Sequence, residues 1–298
     1  TVMDVNPTVA MYIAAFIIVA YTFLGGFSAV CWTDFFQGMI MLAALLVAPL
    51  FALALAKAGD GAVAGATLPE GFFNFFTTPQ DIISGLGWGL GYFGMPHIII
   101  RFMSLKSEKE LRKSSVIGIS WTTIILIMSA LTAVAGRLYL GEIDDPSTVF
   151  ITMVRRIFPA LVSGLLLSAI LSAAMSTADS QLLAASSAFA SDVYKPVIRK
   201  KASDSEMLWA GRIVVIVIAV VALMIASDPN SGSIMGLVEN AWGVFGAAFG
   251  PVILLSLFWK RLTFGGTVAG IAAGAAVDIL WLVFLSSTDI YEIVPGFA

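Results

Sequence analysis

Charged side chains are scarce in this chain. Of its 298 residues only 12% are Asp, Glu, Lys or Arg, against 59% hydrophobic, whereas a water-soluble domain carries roughly 25% charged residues. Water is therefore not its main solvent. Cysteine is nearly absent, and a single Cys31 excludes an internal disulfide and any cysteine-based metal cluster; it reads as a small apolar packing residue. His97 is the only histidine and reads as a local hydrogen-bonding residue, with no proton-relay role. A net charge of −3 is too small to indicate a nucleic-acid partner. Thr1–Pro7 lacks the basic region of a signal peptide and an initiator Met, and the sequence stops at Val294-Pro295-Gly296-Phe297-Ala298, straight after a loop. Both ends are expected to lie inside a longer gene product.

What fills the chain is one apolar run after another, with a mean hydropathy of +0.97. Roughly 20 such residues cross a bilayer as a helix. The runs predict an all-α polytopic membrane protein with about eight spans, near 8–27, 35–57, 81–103, 115–140, 159–190, 207–226, 234–259 and 264–286. The fifth is too long for one crossing and is expected to continue as a helix beyond the membrane. Pro146–Phe158 reads as a short amphipathic helix at the surface.

Orientation follows from Lys and Arg alone. Of the 16 such residues, twelve fall in one set of alternate loops: Arg101, Lys106, Lys109, Arg112 and Lys113; Lys195, Arg199, Lys200, Lys201 and Arg212; Lys260 and Arg261. The other loops hold only Lys57, Arg137, Arg155 and Arg156. The basic loops are expected on the cytoplasmic side of a bacterial inner membrane.

Three places depart from generic apolar helix. In the third span Gly85, Gly87, Gly89, Gly91 and Gly94 precede Pro96, a ladder that does not specify a regular helix. Broken backbone in a bilayer is tolerated where it lines a cavity. Trp88, Tyr92 and Pro96 recur every four residues and would offer two rings and a proline to a small solute; close packing through Gly87-x-x-x-Gly91 is the competing explanation. In the fifth span, Ser176 and Thr177 follow Ala173 by three and four residues, so they share one side of a helix. Hydroxyls with a backbone carbonyl suit a hard monovalent cation, although Ser and Thr also serve helix packing. The third place is a pair of aspartates. Asp179 lies about a turn beyond Ser176, and a charge inside a span is a functional candidate. Asp34 falls between the first two spans, where it could equally be a helix N-cap. Asp278, in the eighth span, has no evident oxygen partners in the sequence.

Taken together these segments resemble the solute:sodium symporter family, and within it the sodium/proline symporters. The resemblance rests on Leu24-Gly25-Gly26-Phe27 with Trp32-Thr33-Asp34, on Gly87–Phe93 with Pro96-His97-Ile98, and on Leu167–Ala169 with Met175-Ser176-Thr177. It extends through Asp192-Val193-Tyr194-Lys195, Ala247-Ala248-Phe249-Gly250-Pro251 and Pro295-Gly296-Phe297. It implies the inverted-repeat fold of LeuT-type transporters in one transmembrane domain, with the remainder of a first repeat near 8–57, a second repeat near 81–259 and an extra helix near 264–286. It also implies that Ala173 (through its carbonyl), Ser176 and Thr177 bind sodium, and that Trp88, Tyr92 and Pro96 contact proline. Asp34 matches an aspartate that in some relatives helps form a second sodium site, with Asp179 and Ser180 at further ligand positions. The family carries hydroxyl residues there, so Asp179 is a departure that suggests a second cation, or a proton shared with Asp34. Met95 departs too, since a glutamine is expected there in close proline carriers.

The expected activity is sodium-coupled import of a small solute, most simply L-proline, with sodium and solute as partners in a lipid bilayer and no other cofactor. Alternatives are another solute of the family (a different amino acid, pantothenate or a short carboxylate) and the transporter-like sensor region of a histidine kinase. No catalytic residue is assigned: the Gly-x-Gly-Asp signature of intramembrane aspartyl proteases is absent, because Asp60 follows Ala58-Gly59 and neither Asp34 nor Asp179 has that context.

Overall fold

Long apolar stretches leave the backbone one economical choice in hydrocarbon, the helix, which satisfies every amide internally. The computed structural model describes residues 6–63, 65–74, 78–228 and 231–298, and Thr1–Val5 of the leading segment lie outside them. Its helices are α1 Pro7–Ala58, α2 Pro79–Gly87, α3 Pro96–Met103, α4 Glu108–Leu140, α5 Val149–Ile157, α6 Ala160–Ala188, α7 Asp204–Ser227, α8 Ile234–Phe258, α9 Phe264–Phe284 and α10 Ile293–Phe297. A 3-10 turn, Trp88–Phe93, separates α2 from α3, and α6 runs on into a π-helical segment, Phe189–Ile198. Starts are set by Ser and Thr caps: Thr78, Ser233 and Thr263 accept from the amides of Asp81, Gly236 and Gly266.

Among the described residues six helices are long and apolar enough to cross a membrane, against about eight hydropathy runs. The difference has two causes. The first two runs merge in α1, whose 52 residues at about 1.5 Å each exceed the ~30 Å hydrocarbon layer more than twice over. Gly26, at φ 60° and ψ −159°, breaks α1 into two arms; that torsion pair belongs essentially to glycine. The run 81–103 is interrupted by the 3-10 turn and so holds no long helix. The break at Gly26 also corrects the placing of Asp34. The second arm begins before residue 35, so Asp34 sits inside the helix and does not cap it.

The chain divides into two compact units, each assembled from two stretches of sequence: residues 1–72 with 108–227, and residues 73–107 with 228–298. In the first unit, Ala44, Ala48 and Ala52 form a fully buried stripe on α1. Small side chains at that spacing let helices approach closely. Tyr139 of α4, Met153 and Val154 of α5, and Leu166 and Leu167 of α6 complete this core. The amphipathic helix α5 thus buries its apolar side while Arg155 and Arg156 stay exposed. In the second unit, α9 meets the backbone of α8, where a Cβ on Gly274 would strike the Ala247 carbonyl, and α10 packs on α8, where a Cβ on Gly250 would strike the Phe297 ring.

Outward faces are apolar. In the most hydrophobic windows of α4 and α7 only 6% of residues are buried, and Ile117 and Leu126 stay well exposed. Apolar surface on that scale has to meet lipid or protein, not water.

Candidate functional site

Hydroxyl residues inside a helix find the nearest carbonyl one turn back. On α6, Ser176 Oγ and Thr177 Oγ1 lie 3.2 and 3.1 Å from the same oxygen, the carbonyl of Ala173. Three oxygens from three residues thereby converge on one side of the helix, as the spacing predicts. Both hydroxyls donate to that carbonyl while keeping lone pairs, so the cluster can present oxygen to a hard cation.

One turn further along, Ser180 Oγ stands 2.8 Å from the Ser176 carbonyl, 3.2 Å from Asp34 Oδ2 and 3.4 Å from Asp179 Oδ1. Asp34, Asp179 and Ser180, singled out separately in the sequence, are thus one cluster between α1 and α6. Asp179 is 0% exposed, and its other oxygen accepts a 2.6 Å hydrogen bond from Tyr21 Oη. Sequence reasoning missed Tyr21. A phenol within the first apolar run of α1 was the available signal, but nothing local connects it to a carboxylate on α6.

In the second unit the glycine ladder divides by role. Cβ atoms on Gly91 and Gly94 would overlap the Trp242 indole and the Phe245 backbone, and one on Gly87 would lie 2.7 Å from Val294 Cγ2. These three glycines are packing positions. Gly85 and Gly89 face open space within 4 Å. The close approach lets Trp242 Nε1 donate a 2.9 Å hydrogen bond to the Trp88 carbonyl, supplying a partner where the helical ladder is interrupted. Trp88 lies against Tyr291 with the rings tilted, centroids 5.2 Å apart; Tyr92 meets Trp242 edge-on at 4.9 Å and keeps 53% of its surface exposed. Because 88–93 winds as a 3-10 turn, Trp88 and Tyr92 do not keep the alignment that a four-residue spacing gives in an α-helix. Pro96 opens α3 at its first position, exposed, and Met95 before it is buried. Trp242 and Tyr291 are the aromatic neighbours that the sequence did not indicate.

Hydroxyl–carbonyl oxygens on one membrane helix, and an aromatic-lined break in another stretch, are features of ion-coupled carriers. Residues 1–274 match the model of the sodium:solute symporter family, and the chain belongs to that family. It is 43% identical over 305 residues to the high-affinity proline transporter PutP of Bacillus subtilis, covering 100% of this chain and 64% of that protein. It is 44% identical to sodium/proline symporter 2 of Staphylococcus saprophyticus, covering 96% and 59%, and 43% identical to the sodium/proline symporter of Haemophilus influenzae, covering 100% and 62%. The chain thus spans roughly six-tenths of the length of these relatives. Among solved structures, a Na+-coupled sialic acid symporter in a substrate-bound outward-open state superposes with a TM-score of 0.77 at 20% identity, covering 99% of this chain and 65% of that one. The fold is therefore the all-helical, LeuT-type transporter fold expected from the sequence, in a multi-pass membrane protein.

Proposed function

We propose that this chain forms most of the transport core of a sodium-coupled symporter that imports L-proline across a bacterial inner membrane. The observation that carries this reading is the match, over 96–100% of the chain, to relatives named as proline transporters or sodium/proline symporters. The convergence of Ala173, Ser176 and Thr177 supports sodium as the coupling ion at that place. Asp34, Asp179 and Ser180 form a second site for a cation or proton. Trp88, Tyr92 and Pro96 receive the solute, the partly exposed Tyr92 ring offering an apolar face to a pyrrolidine. Basic loops face the cytoplasm, and the two repeats run as the sequence suggests.

Sodium bound beside the Ala173 carbonyl would favour an outward-open state, and solute against Trp88 and Tyr92 would favour closure and inward release. The test is uptake into proteoliposomes by the full-length protein, with proline, pantothenate, sugars and other amino acids in competition, with and without a sodium gradient. Proline uptake that depends on inward sodium is expected. Uptake that persists at the same rate with sodium removed overturns the coupling, and proline that fails to compete overturns the solute.

A further inference from the structure

Two carboxyl groups lie outside every site described so far. Asp278 of α9 is 0% exposed and Glu292, at the foot of α10, is 7% exposed. Among the described residues neither oxygen of Asp278, nor Oε1 of Glu292, has a hydrogen-bond partner. Asp278 Oδ1 and Glu292 Oε1 both lie within 3.2 Å of the point where a Cβ on Gly243 of α8 would sit. The absent side chain at Gly243 thus leaves a small space into which both carboxyl groups point.

Two ionised carboxylates in such a place carry a double penalty. Among the described residues Asp278 loses its hydration with no donor to replace it, and Glu292 with none at Oε1, while like charges so close oppose one another. The ordinary resolution is a proton. Among the described residues the charged neighbours of the pair are acidic. Glu239 of α8 adds more negative charge, and the Tyr291 hydroxyl is directed to the Glu239 carbonyl at 2.8 Å. Burial, with the Glu239 charge adding to it, holds the Glu292 carboxyl above the usual carboxylate range.

We propose that Asp278 and Glu292 form a proton-binding site, two carboxyl groups holding a proton between α8, α9 and α10. The site shares no residue with the sodium and solute positions proposed above and does not rest on them. It is nevertheless well placed to influence the broken segment. Tyr291, adjacent to Glu292, packs its ring against Trp88, and its amide is held by Ser84 Oγ at 3.0 Å. Loss of the proton would put unpaired charge beneath the segment that supports Trp88.

The direction of the pH effect follows. An acid kept protonated by the fold brings no penalty while the unfolded chain is protonated too. Stability is therefore greatest at low pH, declines as pH climbs past the ordinary carboxylate range, and levels off once the pair itself has ionised.

The experiment is infrared difference spectroscopy on the full-length protein in liposomes, titrated between about pH 5 and about pH 9, alongside melting temperatures over the same range. Wild type, Asp278→Asn, Glu292→Gln and the double variant are compared. A protonated-carboxyl band that titrates in wild type is expected, with loss of that band in the double variant and flattening of the pH-dependent fall in melting temperature. The double variant mimics the neutral pair and is expected to fold even if a single change does not. An identical carboxyl band in wild type and double variant overturns the proposal. So does a band that responds to sodium at constant pH in place of pH, which would make the ligand a metal cation.

Discussion

Tyr21 and Asp179 stand 158 residues apart and are joined by a 2.6 Å hydrogen bond from phenol to carboxyl. The bond ties the first arm of α1 to the middle of α6 at a buried acid. It also fixes Asp179 within reach of Ser180, and through Ser180 within reach of Asp34.

Replacing Tyr21 by Phe removes that donor and leaves the ring in place. A hydrogen bond contributes about 1 kcal/mol, so Tyr21→Phe is expected to lower the melting temperature of the purified protein. If uptake is measured at fixed solute, the half-saturating sodium concentration should also rise. An unaltered melting curve would mean that the bond contributes nothing to the fold.

Ser176→Ala and Thr177→Ala each delete one hydroxyl facing the Ala173 carbonyl. Each is expected to raise the sodium concentration for half-maximal uptake by roughly tenfold, the equivalent of about 1.4 kcal/mol, with normal amounts of protein in the membrane. Among the described residues both hydroxyls bond within α6, so little stability is at stake. Sodium dependence that matches wild type in both variants would remove the site.

Gly91→Ala and Gly89→Ala form a matched pair. The first drives a methyl group into the Trp242 indole, whereas the second meets nothing within 4 Å. Overpacking of this kind costs about 1–3 kcal/mol, so Gly91→Ala should melt earlier than wild type and Gly89→Ala should not. Equal melting temperatures for the two would show that the ladder is not a packing seam.

Trp242→Phe takes away the indole N–H that serves the Trp88 carbonyl while keeping an aromatic edge near Tyr92. The expected result is weaker solute affinity, seen as a raised half-saturation for proline uptake, with the sodium dependence unchanged. A shift in sodium dependence at constant solute affinity would place Trp242 elsewhere in the cycle.

Hydropathy is additive along the chain, and for that reason the six long apolar helices were legible as runs, though not the joining of the first two runs in α1. The α6 cluster was legible too, because Ala173, Ser176 and Thr177 are related by helix geometry alone. The break near Trp88 was visible in its glycines, but its 3-10 winding was not, since Trp242 and Val294 come from distant stretches and decide where the backbone can tighten. Leu24-Gly25-Gly26-Phe27 looked like the end of a span. In the structure Gly26 bends α1 without ending it, which carries Asp34 from a supposed loop into a helix. Asp278 had no visible partner because Glu292 reaches it only after the chain reverses through Asp289, at φ 56°. No periodicity in one segment reports a pairing made by a turn.

Gly91 and Gly246 bring main chain close to main chain beside the Ile293 side chain: a Cβ on Gly246 would strike Ile293 Cδ1 and lie 2.8 Å from the Cα of Gly91. Side chains can absorb a shove by changing rotamer, and a bare main-chain joint cannot. The Trp88 turn and α8 are therefore expected to shift together where Gly91 and Gly246 approach.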